Sequence, residues 1–135
     1  MVNYIIKAKH ELIDNMIDPV LDALSNVQAD KKASYQLHLA LEEILVNVVN
    51  YAYDGKDGDV EISYDIDSSN REIKVIIKDS GKKFDPTKAE DPKLEGTAKE
   101  RKIGGLGIYI VKNIVDDIKY SRIENKNTLE IVKRF

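Results

Sequence analysis

Cysteine and tryptophan are absent from this 135-residue chain, which also holds only two phenylalanines, two histidines and three prolines. Without cysteine there can be no disulfide, thiolate metal site or cysteine nucleophile. His10 and His38 are far apart and lack a metal-ligand spacing, so both read as ordinary surface or boundary residues. A basic surplus is missing too: 21 Lys and Arg stand against 24 Asp and Glu, for a net charge of -3. Direct nucleic-acid binding, which needs a basic footprint, is therefore disfavoured. No apolar run approaches the roughly 20 residues that cross a bilayer. The opening Met1–Lys7 is too short and too soon charged for a signal peptide. A soluble, cytoplasmic protein without membrane contact is expected.

What is present is enough apolar side chain for one core. Hydrophobic residues make up 42% of a chain of one domain's length, so residues 1–135 read as a single domain that needs no staples. Residues 1–9 alternate as a strand. Apolar residues at Leu12, Ile13, Met16, Ile17, Val20, Leu21, Leu24 and Val27 follow a helical period. Because Asp18-Pro19 is a good start signal, the regular helix is expected from about residue 19 to 28, after a loose first turn. Asp30 caps a longer helix reaching about Asn50 or Tyr51. Asp54–Gly58 is a turn cluster, and two strictly alternating runs, 60–66 and 73–77, flank a hairpin at 67–70.

The pattern fails from Ser80 to Ile103, where six lysines fall among few large apolar residues. So long a loop inside a compact domain is usually functional. Helical period resumes after Gly104-Gly105-Leu106-Gly107, and strands close the chain at about 118–124 and 128–134. The order βααββ, loop, αββ is an α+β sandwich with helices on one face of a sheet.

Three features carry chemistry. The helix around residues 39–52 is apolar on nearly every side, yet Glu43, Asn47 and Asn50 fall within a stripe of about 60° on it. Buried polar groups need partners. The stripe is either a satisfied internal network or the wall of a ligand cavity, with oxygens suited to a hard cation such as Mg²⁺. Asp79-Ser80-Gly81 ends a strand. It is either a plain turn or a site where the carboxylate meets an exocyclic amine and Gly81 lets a ligand ring approach. Gly104–Gly107 opens a helix, so it is either a hinge or a phosphate site of converging N–H groups. It is neither a Walker A loop nor a dinucleotide fingerprint.

Together and in this order, Glu43-x-x-x-Asn47, Asp79-x-Gly81 and Gly105-x-Gly107 resemble the N, G1 and G2 boxes of the GHKL (histidine-kinase-like) ATPases. Asn50-Tyr51-Ala52-Tyr53, Phe84-Asp85-Pro86 and the Gly-Gly-Leu-Gly-Ile run look most like the anti-sigma-factor serine kinases, the RsbW-like branch. The resemblance spans essentially the whole chain. It implies a Bergerat-type two-layer sandwich, a mixed, mostly antiparallel sheet with three helices on one face. It also implies an ATP lid at about 82–103.

Carried over by position, the resemblance makes Asn47 the Mg²⁺ ligand and places Asn50 in the same nucleotide site. Glu43 becomes the group that activates the attacking hydroxyl. Asp79 and Gly81 would lie at the adenine, with Gly105, Leu106 and Gly107 giving backbone donors to phosphate and Thr128 reaching the adenine site. ATP and Mg²⁺ are the implied cofactors. A sigma factor or analogous target, an anti-anti-sigma (STAS-like) protein and a second copy in a homodimer are the implied partners. Two departures bear on activity: Ile103 stands where some relatives have arginine, with Arg101 and Lys102 just upstream, and Tyr51 stands where several have histidine. A kinase is the leading reading. An ATP-sensing binding module without transfer comes second, and the ATPase half of a histidine kinase or topoisomerase third.

Overall fold

A computed structural model describes residues 1–88 and 105–135. The chain begins with strand β1 (Val2–Lys7) and a 3-10 turn (His10–Leu12) leading into helix α1 (Ile13–Asn26). Helix α2 (Lys31–Asn47) continues into a π-helical turn over Val48–Ala52. Strands β2 (Asp59–Asp67) and β3 (Glu72–Asp79) follow, then a 3-10 turn (Pro86–Lys88), helix α3 (Gly105–Ile114) and strands β4 (Asp117–Ile123) and β5 (Lys126–Arg134). Most of the expected lid, including Arg101, Lys102 and Ile103, lies outside the described residues.

The strands form one sheet in the order β1-β2-β3-β5-β4, and every pairing is antiparallel. The partly parallel sheet implied by the resemblance is thus antiparallel throughout the described strands. Strand alternation places Val60, Ile62, Ile73, Val75, Ile77, Leu129 and Ile131 on the face that meets the helices. Against them pack Met16, Ile17 and Val20 of α1, Leu37, Leu41 and Leu45 of α2, and Val111 of α3. α2 is the central helix, touching both α1 and α3. This explains why its apolar residues exceed one face: it is covered on three sides.

The first helix departs from its expected start. It is regular from Ile13, and Pro19 sits inside it. A proline there removes one backbone hydrogen bond and crowds the carbonyl four residues back, a cost of about 3 kcal/mol. Two things offset it. Ile13, Met16 and Ile17, all before the proline, are buried in the core. The Tyr4 hydroxyl of β1 also donates to the Met16 carbonyl beside the break. Burial, reinforced by Tyr64 and Asp18, holds that hydroxyl far above the usual tyrosine range, so it stays a donor.

Asp30 caps α2 as expected, its carboxylate accepting from Ala33 N at 3.4 Å. Pro19→Ala should raise the unfolding free energy by about 1–3 kcal/mol, since the helix is already formed on both sides of the proline. Urea denaturation checks this. A less stable variant would show that the proline is required where it stands.

Candidate functional site

A cavity of about 290 Å³ opens between the C-terminal end of α2 and the ends of β3 and β5. Ile44, Val48, Ile77, Ile108 and Leu129 give it hydrocarbon walls, and Tyr51, Phe84 and Tyr120 add aromatic ones. Its polar groups are few: Asn47, Asp79, Lys82 and Asn127. An apolar slot with a few fixed polar groups suits a flat ligand that is read at its edge.

Asp79 is the last residue of β3. Alternation puts it on the core side with Ile73, Val75 and Ile77, and it is only 6% exposed. Its Oδ1 accepts from Gly81 N and from Asn127 Nδ2, both at 3.0 Å. Its Oδ2 has no hydrogen-bond partner among the described residues. Leaving a buried carboxylate oxygen without a donor is costly, so Oδ2 is an acceptor open to a donor from outside the described residues.

Gly81 has a different reason from the expected one. A Cβ there would collide with the Ala52 carbonyl and side chain, because Gly81 packs directly onto the π-turn. Lys82 N donates to the same Ala52 carbonyl at 3.0 Å. The glycine thus joins the end of α2 to the end of β3, and does not itself line the cavity. Tyr53 strengthens this joint: its hydroxyl donates to the Asp59 carbonyl and accepts from Ser80 N. Burial raises the pKa of that hydroxyl, with the Ser80 bond opposing and the Asp79 charge adding. At the surface Lys82 Nζ meets Asp54 Oδ1 at 2.8 Å, and that hydrogen bond lowers the Asp54 carboxyl.

Asn127 is the residue that sequence reasoning missed. It faces Asp79 directly in the β3–β5 register, whereas Thr128 pairs with Lys78 and points to the opposite face of the sheet. Thr128 is buried, with its hydroxyl 3.5 Å from the Lys126 carbonyl, and it does not line the cavity. Parity was the available signal: Asn127 is in phase with Leu129 and Ile131, the apolar side of β5.

At the other end, Asn47 lines the cavity and Glu43 lies one turn earlier on α2, both half-buried. A Cβ on Gly107 would overlap the Glu43 carboxylate, so this glycine lets the acid lie against the first turn of α3. Gly105 and Leu106 open that same turn. Asn50 is not brought in. The π-turn places Tyr51 and Ala52 on the cavity, while Asn50 is exposed. Of the three residues of the expected stripe, Asn47 lines the cavity, Glu43 lies one turn before it against Gly107, and Asn50 is exposed.

Among the described residues there is no cluster of three or more His, Cys, Asp or Glu that could hold a metal. No helix among them is long and apolar enough to cross a membrane. In sequence, the serine-protein kinase RsbW of Listeria innocua is 31% identical over 106 residues, covering 72% of this chain and 66% of that protein. The chain thus spans just under two thirds of that relative's length. The anti-sigma F factor of Anoxybacillus flavithermus is 25% identical over 119 residues, covering 87% and 73% respectively. The solved structure of the mycobacterial sensor histidine kinase MprB superposes with a TM-score of 0.52 at 20% identity, over 98% of this chain and 99% of that one, and so supports the fold. The family profile of the histidine kinase-like ATPase domain matches residues 6–133. From the sheet order, the buried Asp79 and this match, the chain belongs to the histidine kinase-like ATPase domain family.

Proposed function

We propose that this chain is an ATP-dependent protein serine/threonine kinase of the anti-sigma type. On this reading it binds a sigma factor or analogous target and phosphorylates an anti-anti-sigma (STAS-like) partner. The observation that carries the nucleotide part is the buried Asp79, which lines an apolar slot and whose Oδ2 has no partner among the described residues. The names of the relatives, a serine-protein kinase and an anti-sigma factor, support the kinase part. A cytoplasmic homodimer fits the same reading.

Each residue then has a task. Asp79 Oδ2 accepts from the adenine amine while Ile77, Leu129 and Phe84 exclude water from the ring. Backbone N–H groups of Gly105, Leu106 and Gly107, at the positive end of α3, face phosphate oxygens. The Asn47 amide oxygen is a hard donor suited to Mg²⁺, which binds proteins through few side chains and completes its shell with phosphate and water. A bound Mg²⁺ supplies neutralisation of the charge on the transferring phosphoryl group.

Glu43 would orient the partner's hydroxyl and take its proton as that oxygen bonds to the γ-phosphorus and the bond from phosphorus to ADP breaks, releasing ADP. Its carboxylate lies against Gly107, beside the turn that would hold the phosphate. The departure at Ile103 keeps a second reading in view, an ATP-sensing module that switches partners without transfer.

Asp79→Asn should weaken ATP binding by about 1–3 kcal/mol, because a reversed amide leaves buried groups unpaired. Calorimetry with ATP measures it, and wild-type affinity in the variant would remove Asp79 from base recognition. Glu43→Gln should keep ATP affinity within a few-fold and slow transfer by about 10²–10⁴, the usual contribution of a positioned base. Incubation with Mg-ATP and candidate STAS-like proteins, followed by detection of phosphoserine or phosphothreonine, tests the kinase. If wild type binds ATP but phosphorylates no such partner, the binding module is the better account.

A further inference from the structure

Asn127 is 7% exposed, and all four hydrogen-bonding sites of its side-chain amide are used. Nδ2 donates to Asp79 Oδ1 at 3.0 Å and to the Lys82 carbonyl at 2.8 Å. Oδ1 accepts from Phe84 N at 3.2 Å and from the Tyr120 hydroxyl. Turning the amide over would set its oxygen against the Asp79 and Lys82 oxygens and its NH₂ against the Phe84 N–H. Chemistry therefore fixes its orientation.

This one amide ties together three parts of the cavity. It occupies Oδ1 of Asp79 together with Gly81 N, so the oxygen left for a ligand is Oδ2. It also holds the backbone of Lys82 and Phe84, two residues that line the slot just after β3. β4 contributes through Tyr120, whose hydroxyl anchors the amide oxygen. Recognition at Asp79 and the position of the adjoining wall thus share one support.

A fixed acceptor discriminates between rings better than a mobile one. A purine with an amino group at position 6 meets Oδ2 with a donor. A 6-oxopurine meets it with a second acceptor, unless the carboxylate can turn away or the wall can give. We propose that Asn127 is the positioning residue that makes this cavity select a 6-aminopurine over a 6-oxopurine. It does so by clamping Asp79 Oδ1 and the Lys82–Phe84 backbone together. The inference rests on the nucleotide reading above and adds to it the residue that sets base selectivity.

The test compares ATP with ITP, which carries an oxo group at position 6, by calorimetry on wild type, Asn127→Ala and Tyr120→Phe. Unfolding midpoints are measured alongside. Wild type should prefer ATP by about 10-fold or more, the scale of one or two buried hydrogen bonds made or mismatched. In Asn127→Ala the preference should shrink to within about 3-fold, chiefly through lost ATP affinity. Tyr120→Phe removes only the hydroxyl behind the amide and should reduce the preference by a smaller factor, about 2–5. A merely structural role would lower both affinities together and keep their ratio. That result overturns the inference while leaving ATP binding intact. Should Asn127→Ala fail to fold, an unchanged ratio in Tyr120→Phe overturns it equally. A wild type that binds neither nucleotide defeats the nucleotide reading itself, and this inference with it.

Discussion

The candidate site depends on one buried carboxylate, Asp79, placed where a strand ends beneath the central helix. Its burial follows from strand parity: the residue is in phase with the isoleucines and valine that β3 sends into the core. An apolar side chain there would extend the core at little risk. A carboxylate has to be satisfied, and the protein satisfies one oxygen from within, through Gly81 and Asn127. The slot beside it is apolar because it is a continuation of the core, lined by the same Ile44, Ile77 and Leu129 that pack the helices onto the sheet.

The rest of the local structure keeps that carboxylate in place. The π-turn at Val48–Ala52 brings the end of α2 down onto the end of β3, where only glycine fits at position 81. π-turns inside α-helices frequently occur at functional sites, where they re-aim side chains at the cost of poorer backbone bonding. Here the re-aiming turns Tyr51 and Ala52 toward the slot and Asn50 away from it. A second close approach, of the Glu43 carboxylate to Gly107, sets the acid of α2 against the start of α3. Two glycines thus act as contact points between elements, Gly81 against the π-turn and Gly107 against α2.

Much of this was legible in the sequence, for physical reasons that can be named. Strict alternation in 60–66 and 73–77 marked β2 and β3, and the all-round apolarity of 39–52 marked the covered helix. The spacing of Glu43 and Asn47 survives because α2 stays regular through Asn47. A 100° helical wheel cannot anticipate the π-turn, which leaves Asn50 exposed and outside the cavity lining. Local propensity marks Asp18-Pro19 as a helix start, yet Pro19 lies inside α1. The buried Ile13, Met16 and Ile17 outweigh it, which is a tertiary effect. Thr128 is indicated by likeness to a family residue alone. Asn127 is one position away, and only the β3–β5 register shows which of the two faces Asp79.

On the proposed function, an adenine ring enters this slot and donates to Asp79. This is tested most directly by nuclear magnetic resonance on the labelled protein, titrated with ATP and Mg²⁺. Adenine bound in the slot should give large shifts at the Gly81 amide and the Asn127 side-chain NH₂, with little change at Ile5 and Ser121 on the other face of the sheet. Millimolar ATP that leaves the Gly81 and Asn127 resonances unmoved would contradict it.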